Sequence, residues 1–247
     1  MSETQNKNFN HLKIHSQYSI CEGAIKIDEL KDIAKELKIR TLGLCDTSNL
    51  CGAVEFSDKL SKVGTQPVIG TQINFRFEDT IGLLPLFALN LEGYKKIIEL
   101  SSKSYLNNNN TSEPHLNIDD LFKLKTNGIS IFSGSIFGLF GKLFDKGKFK
   151  EITNLYKELK KIFDNKFYLE IQRHKDLNEN SFEKFNLKKS SDLEIPIIAT
   201  NEVFYLDKNM YEAHDALICI GNKTYVNEKN RLKLTDQHYF KNNSEMS

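Results

Sequence analysis

Residues 41–77 read TLGLCDTSNLCGAVEFSDKLSKVGTQPVIGTQINFRF, and the way this stretch divides decides the fold. Residues 41–45 form a short apolar run that ends in the polar cluster Asp46, Thr47, Ser48 and Asn49. Phe56, Leu60 and Val63 then recur at helical spacing, which marks an amphipathic helix. Residues 68–77 return to strand character, with Ile73, Phe75 and Phe77 alternating as on a half-exposed strand. Strand, helix and strand in that order argue for parallel strands with helices packed outside them.

The same alternation runs outward in both directions. Upstream lie a strand candidate at 11–15 and a helix with Ile27, Leu30, Ile33, Ala34 and Leu37 on one face. Downstream, further strand candidates fall at 83–89, 129–132, 167–171 and 195–199. Helical patterns begin at Tyr94 and cover 149–163, 182–187 and 210–220, while 107–114 reads as a polar loop. Seven strand candidates, most followed by a helix, predict an α/β domain: a distorted seven-stranded parallel βα barrel, closed or nearly so. An open doubly wound sheet is the alternative, and periodicity does not separate the two. The expected division is a tail at 1–8, a barrel at 9–220 and an extension at 221–247.

The 247 residues are 39% hydrophobic and 27% charged, with a formal charge of +1, so there is no overall attraction to a phosphate backbone. Cys21, Cys45, Cys51 and Cys219 are scattered without a CxxC pair and read as thiols of a reducing cytoplasm. Met1 to Asn10 lack the apolar segment of a signal peptide, and no apolar run approaches the ~18 residues of a membrane span. A cytoplasmic location and no membrane partner are expected. Phosphate-binding glycine loops, HExxH and GxSxG are absent.

In a barrel, the polar residues that end each strand converge on one mouth. These are His15 and Ser16, Asp46, Gln72, Ser133 and Ser135, Gln172 to His174, and Asn201 with Glu202. His15 could serve as ligand or general base, or merely be hydrogen-bonded. Asp46 could be a metal carboxylate, a turn residue or a helix cap. His11, His115, His214 and His238 have no ligand spacing and read as structural.

The stretch HLKIHSQYS at 11–19, with Gly23 beyond it, resembles the opening motif of the PHP (polymerase and histidinol phosphatase) domain of bacterial replicative DNA polymerase III alpha subunits. That motif usually reads HLHxHSxYS, then an acidic residue and glycine. CDTSNLCG at 45–52 is similar to the family's TDHGNLxG, and VIGTQ at 68–72 sits where the family has a strand ending in GxE. LEIQRH at 169–174, ATNEV at 199–203 and AHDAL at 213–217 resemble further blocks, in the family's order. The resemblance implies a distorted seven-stranded βα barrel that opens a longer polymerase chain. Palm, fingers and thumb would lie beyond residue 247.

Active members hold metal ions at the barrel mouth through histidines and carboxylates, a donor set suited to Zn2+ or Mn2+. Against that pattern Lys13 stands for a histidine, Thr47 for a histidine, Gln72 for a carboxylate and Phe204 for a histidine. Leu83 lies roughly where another histidine belongs, and Ser135 roughly where a cysteine does. His15, Glu22, Asp46, His174 and Glu202 keep ligand chemistry. Because a protonated lysine offers no lone pair, these positions are expected to be a vestigial metal site with no catalytic residue and no cofactor. Lys13 shares a face with His15 and is expected to fill the cation position, pairing with Asp46, Glu22 or Glu202.

The resemblance thus implies a catalytically silent scaffold within a DNA-directed DNA polymerase. It would dock a proofreading exonuclease subunit and meet DNA through the whole subunit, with Mg2+ at a polymerase site outside this chain. The alternatives are an active metal-dependent phosphoesterase or 3'-5' exonuclease, with Zn2+ or Mn2+ at the mouth, and a binding module unrelated to replication.

Overall fold

The computed structural model describes residues 9–106, 113–124 and 128–246; the expected tail at 1–8 and most of the expected loop at 107–114 lie outside the described residues. Along the chain run α1 (Ile27–Glu36), β1 (Thr41–Thr47), α2 (Ala53–Lys62), β2 (Gln66–Phe77) and β3 (Thr80–Ala88). Next come α3 (Leu91–Leu106), β4 (Leu116–Asn117), α4 (Ile118–Phe122), β5 (Ile129–Phe132) and α5 (Leu139–Asp145). They are followed by α6 (Phe149–Phe163), β6 (Phe167–Ile171), α7 (Glu179–Leu193), β7 (Ile197–Ala199) and α8 (Tyr211–Asn222).

The strands form one curled sheet in the order β1-β2-β3-β5-β6-β7, with β4 on β2. Pairing is parallel between β1 and β2, β5 and β6, and β6 and β7. The exception is β3, which is antiparallel to both neighbours and corrects the all-parallel expectation. Its cause is local. Phe77 pairs with Thr80, so Glu78 and Asp79 alone form the hairpin, with Glu78 in the left-handed region at φ 52°. Glu-Asp lacks the glycine that normally signals such a turn.

Residues 11–15, expected as a strand, form no named strand but close the ring. Gly43 N–H donates to His11 C=O (2.7 Å) and Cys45 N–H to Ile14 C=O (2.8 Å). On the other side His15 N–H donates to Val203 C=O and Val203 N–H to Lys13 C=O, both at 2.9 Å. The segment therefore lies between β1 and the residues that follow β7. Gly43 is required here, because a Cβ would stand 2.4 Å from the Leu12 carbonyl oxygen.

Helices pack outside the sheet, as the periodicities predict. In α6 the side chains of Ile152, Leu155, Tyr156, Leu159 and Phe163 are buried against the sheet, each worth roughly 1.5–3 kcal/mol of transfer free energy. α1 buries Ile27, Leu30 and Ala34 against Leu42, Leu44 and Phe56. Its first turn is held by Lys26 N–H donating to Glu29 (2.9 Å). Leu37, expected on the same face, caps the helix and is exposed. The short helices α4 and α5 and the two-residue β4 were not expected from periodicity, since each is too brief to show one. No helix among the described residues is long and apolar enough to cross a membrane. All four cysteines are free thiols.

The polypeptide after α8 folds back over the barrel. Arg231 grips Asp215 of α8 with both terminal nitrogens at 2.6 Å. Tyr205 and Tyr239 form a parallel bridge, and Asn201 Nδ2 donates to Tyr239 C=O (2.8 Å).

Candidate functional site

The ring closure brings Lys13 and His15 side by side into the barrel mouth, both with no solvent exposure. Lys13 Nζ lies 3.2 Å from Glu202 Oε1 and 3.3 Å from Glu170 Oε1. Neither contact has hydrogen-bond alignment, so the attraction is ionic. Of the partners expected for Lys13, Glu202 is correct; Asp46 and Glu22 are not, and Glu170 was overlooked. Glu170 sits at the end of β6 with its side chain among Thr200, Gln172 and Lys13. Its place inside an apolar-looking strand gave no sign that it faces the mouth.

Glu202 Oε1 is the hub. It also accepts from Gln72 Nε2 (2.7 Å) and lies 3.2 Å from His15 Nε2. Burial opposes charge on both Lys13 and Glu202. The carboxylates of Glu170 and Glu202 nevertheless hold Lys13 above the usual lysine range, and Lys13 with His15 holds Glu202 well below the usual carboxylate range. Glu170 goes the other way: burial pushes it up, and Lys13 offsets this only in part. The two carboxylates around one ammonium are thus driven apart, with Glu202 the charged partner.

The remaining expected positions form a lining around His15. Phe204 stacks on its ring (4.4 Å between centroids). Thr47 Oγ1 donates to Glu22 (2.6 Å) and lies 3.5 Å from His15 Nδ1. Asp46 is satisfied by neutral donors: Ser16 N–H (2.7 Å), the Ser16 hydroxyl (2.9 Å) and the Ser19 hydroxyl (2.7 Å). It caps no helix, since the N-cap of α2 is Gly52. Leu83 pairs with Asn74, beyond the level at which Gln72 pairs with Pro85, and supplies no polar atom. Ser135 is half-buried and lines a small cavity of about 10 Å³ with Glu170, Gln172 and Glu179.

His174 lies on the far side of Glu202. Its Nε2 is 3.0 Å from Asn201 Oδ1, and Glu179 accepts from its backbone N–H (2.8 Å). His238, read from sequence as structural, stacks on His174 with ring centroids 4.1 Å apart and planes within 6°. Spacing could not reveal it, because it arrives from the returning C-terminal segment. His214 donates to Glu22 C=O (2.7 Å), and His11 Nε2 to Lys241 C=O (2.8 Å).

The chain belongs to the PHP domain family, whose model matches residues 11–174. The DNA polymerase III subunit alpha of Caulobacter vibrioides is 34% identical over 259 residues, covering 100% of this chain and 22% of the relative. That of Borreliella burgdorferi is 34% identical over 250 residues, covering 96% of this chain and 22% of the relative. The chain therefore spans about a fifth of the length of the curated relatives it matches. Among solved structures, it is similar to a two-domain protein from Bacteroides vulgatus described as containing a predicted PHP-like metal-dependent phosphoesterase. The TM-score is 0.47 and the identity 13%, covering 96% of this chain and 61% of that one, a likeness too distant to speak to chemistry.

Proposed function

We propose that this chain is the PHP domain of a replicative DNA polymerase III alpha subunit, and that its barrel mouth is held together by side-chain charge instead of metal ions. One observation carries the second half: Lys13 Nζ stands between Glu170 and Glu202 at 3.3 and 3.2 Å. An ammonium in that place already supplies the positive charge that two buried carboxylates need, and it repels a dication. Gln72, Thr47 and Phe204 add neither anionic nor imidazole donors. The donor set at the mouth does not fit an ion cluster, and no hydrolytic step is assigned to it.

On this reading 9–220 is a scaffold and 221–247 leads toward the polymerase core. The whole cytoplasmic subunit extends DNA with Mg2+ at its polymerase site, and this domain helps to dock a proofreading exonuclease. Similarity along 100% of the chain to a polymerase subunit supports the first half. The test has two parts. The purified chain with added Mn2+ or Zn2+ should leave single-stranded DNA and a chromogenic phosphoester intact. Hydrolysis that survives repurification and disappears in His15→Gln would overturn the metal-free mouth. A natural reading frame that does not continue into polymerase sequence would overturn the assignment to that subunit.

A further inference from the structure

We propose that His174, Asp176 and His238 form a binding site for a zinc-type dication on the barrel rim, separate from the Lys13 cluster and independent of the reading given for it. The three residues offer ligand atoms that all lie within 4.8 Å of one another. The side chains of His174 and His238 are 1% exposed and that of Asp176 is 4% exposed.

Hydrogen bonding prepares the His238 ring for a metal. His238 Nδ1 lies 3.2 Å from Glu202 C=O, to which it donates, and this leaves the Nε2 lone pair facing Asp176 Oδ2 at 3.3 Å. His174 Nε2 lies 3.0 Å from Asn201 Oδ1 and also 3.2 Å from the Glu202 backbone N–H, which donates to it, so these neighbours do not dictate whether Nε2 or Nδ1 carries the proton. That Nδ1 is buried without a hydrogen-bond partner and meets only Glu179 Oε1, at 3.4 Å. A ring that gives one N–H to a carbonyl and keeps the other nitrogen bare is the usual state of a metal-bound histidine. The bare Nε2 of His238, a ring nitrogen of His174 and the Asp176 carboxylate bring three ligand atoms together. Imidazole with carboxylate suits Zn2+ and its neighbours better than Mg2+ or Ca2+.

The backbone assembles this group from distant places. Lys175 adopts φ 65°, which turns Asp176 back beside His174 after β6. His238 comes from the returning segment, anchored nearby by Thr235 Oγ1 donating to His174 C=O. An ion bound here would clasp that segment to the barrel. Because the rings are parallel, their lone pairs converge on an ion only after the His174 ring turns about its Cβ–Cγ bond. The site therefore binds more weakly than a preformed structural zinc centre.

The test uses the 247-residue chain stripped with a chelator, then titrated with Zn2+ by calorimetry and with Co2+ by visible absorption. One saturable site per chain is expected, with Zn2+ raising the melting temperature. Asp176→Asn, on an outer loop, and His238→Gln should each weaken binding by about tenfold or more and abolish the melting shift. Circular dichroism checks that both variants are folded. His15→Gln should bind as the parent does. The proposal is overturned if no saturable binding occurs, or if both rim variants bind undiminished. Binding lost in His15→Gln but kept in the rim variants would also overturn it, and would count separately against the metal-free mouth.

Discussion

Lys13 Nζ and Glu202 Oε1 stand 3.2 Å apart at the centre of the barrel mouth, both side chains almost wholly withdrawn from water. Such a pair contributes little net stability when whole, because desolvation offsets its attraction, but breaking it strands a charge. Lys13→Met should therefore destabilise the chain by about 3–5 kcal/mol, measured by urea unfolding. The double variant with Glu202→Gln should lose less than the two single losses added together. Strict additivity would mean that the pair is not coupled.

Acid should weaken the fold before the depressed carboxylate of Glu202 titrates. Burial lowers His11 from 6.5 to about 4, its bond to Lys241 C=O opposing only in part. Burial also lowers His174 and His214. For a base with a depressed folded pKa, the stability is present above about pH 6.5 and is lost as pH falls toward the folded value. His11 alone accounts for up to about 3 kcal/mol between those limits. Below about pH 4.3 the depressed Glu202 adds its own loss. Unfolding free energies at pH 7.5, 6 and 5 should fall steadily, and His11→Phe should flatten that slope. An unchanged slope in the variant would exclude His11 as its source.

Gly43→Ala tests the seam that closes the ring. The new methyl would stand 2.4 Å from a backbone oxygen of Leu12, which is not the end of a flexible side chain and so cannot yield cheaply. A loss of about 1–3 kcal/mol is expected, with faster amide exchange at Cys45, whose N–H donates to Ile14 across the same seam. Wild-type stability would show that the two segments separate without cost.

Tyr156 donates to Asn186 Oδ1 (2.9 Å), and Asn186 Nδ2 donates to Glu170 C=O (3.2 Å), so a buried relay joins α6, α7 and β6. Tyr156→Phe keeps the packing but leaves the Asn186 oxygen unpaired, which should cost about 1–3 kcal/mol. Thermal unfolding of the variant measures it. A change within a few tenths of a kcal/mol would mean that water or another donor takes over the Asn186 oxygen.

Much of the barrel was legible because long periodic segments report burial directly: α6 spans Phe149–Phe163, the range its apolar pattern predicts. The antiparallel β3 was not, since its apolar run looks the same in either direction and the Glu78-Asp79 turn carries no glycine. Residues 11–15 alternate like a strand, yet their backbone bonds are divided between two neighbours that lie far apart in sequence. At the site, His15 and Glu202 could be found at strand ends, and Lys13 by its departure from the motif. Glu170 and His238 could not, because one is buried within a strand and the other reaches the mouth only through tertiary folding.

The stitched seam at residues 11–15 also dictates the order in which the fold can be completed. Val203, which holds one side of that segment, is synthesised nearly 190 residues after His15. A nascent chain must therefore keep its first segment waiting, with one row of peptide groups unsatisfied, until the last barrel strand has emerged. Contacts of such long sequence separation slow folding, and an open sheet edge invites pairing with other chains. Products cut short of Val203 should accordingly aggregate instead of accumulating as soluble half-barrels, which makes the full domain the smallest unit worth expressing.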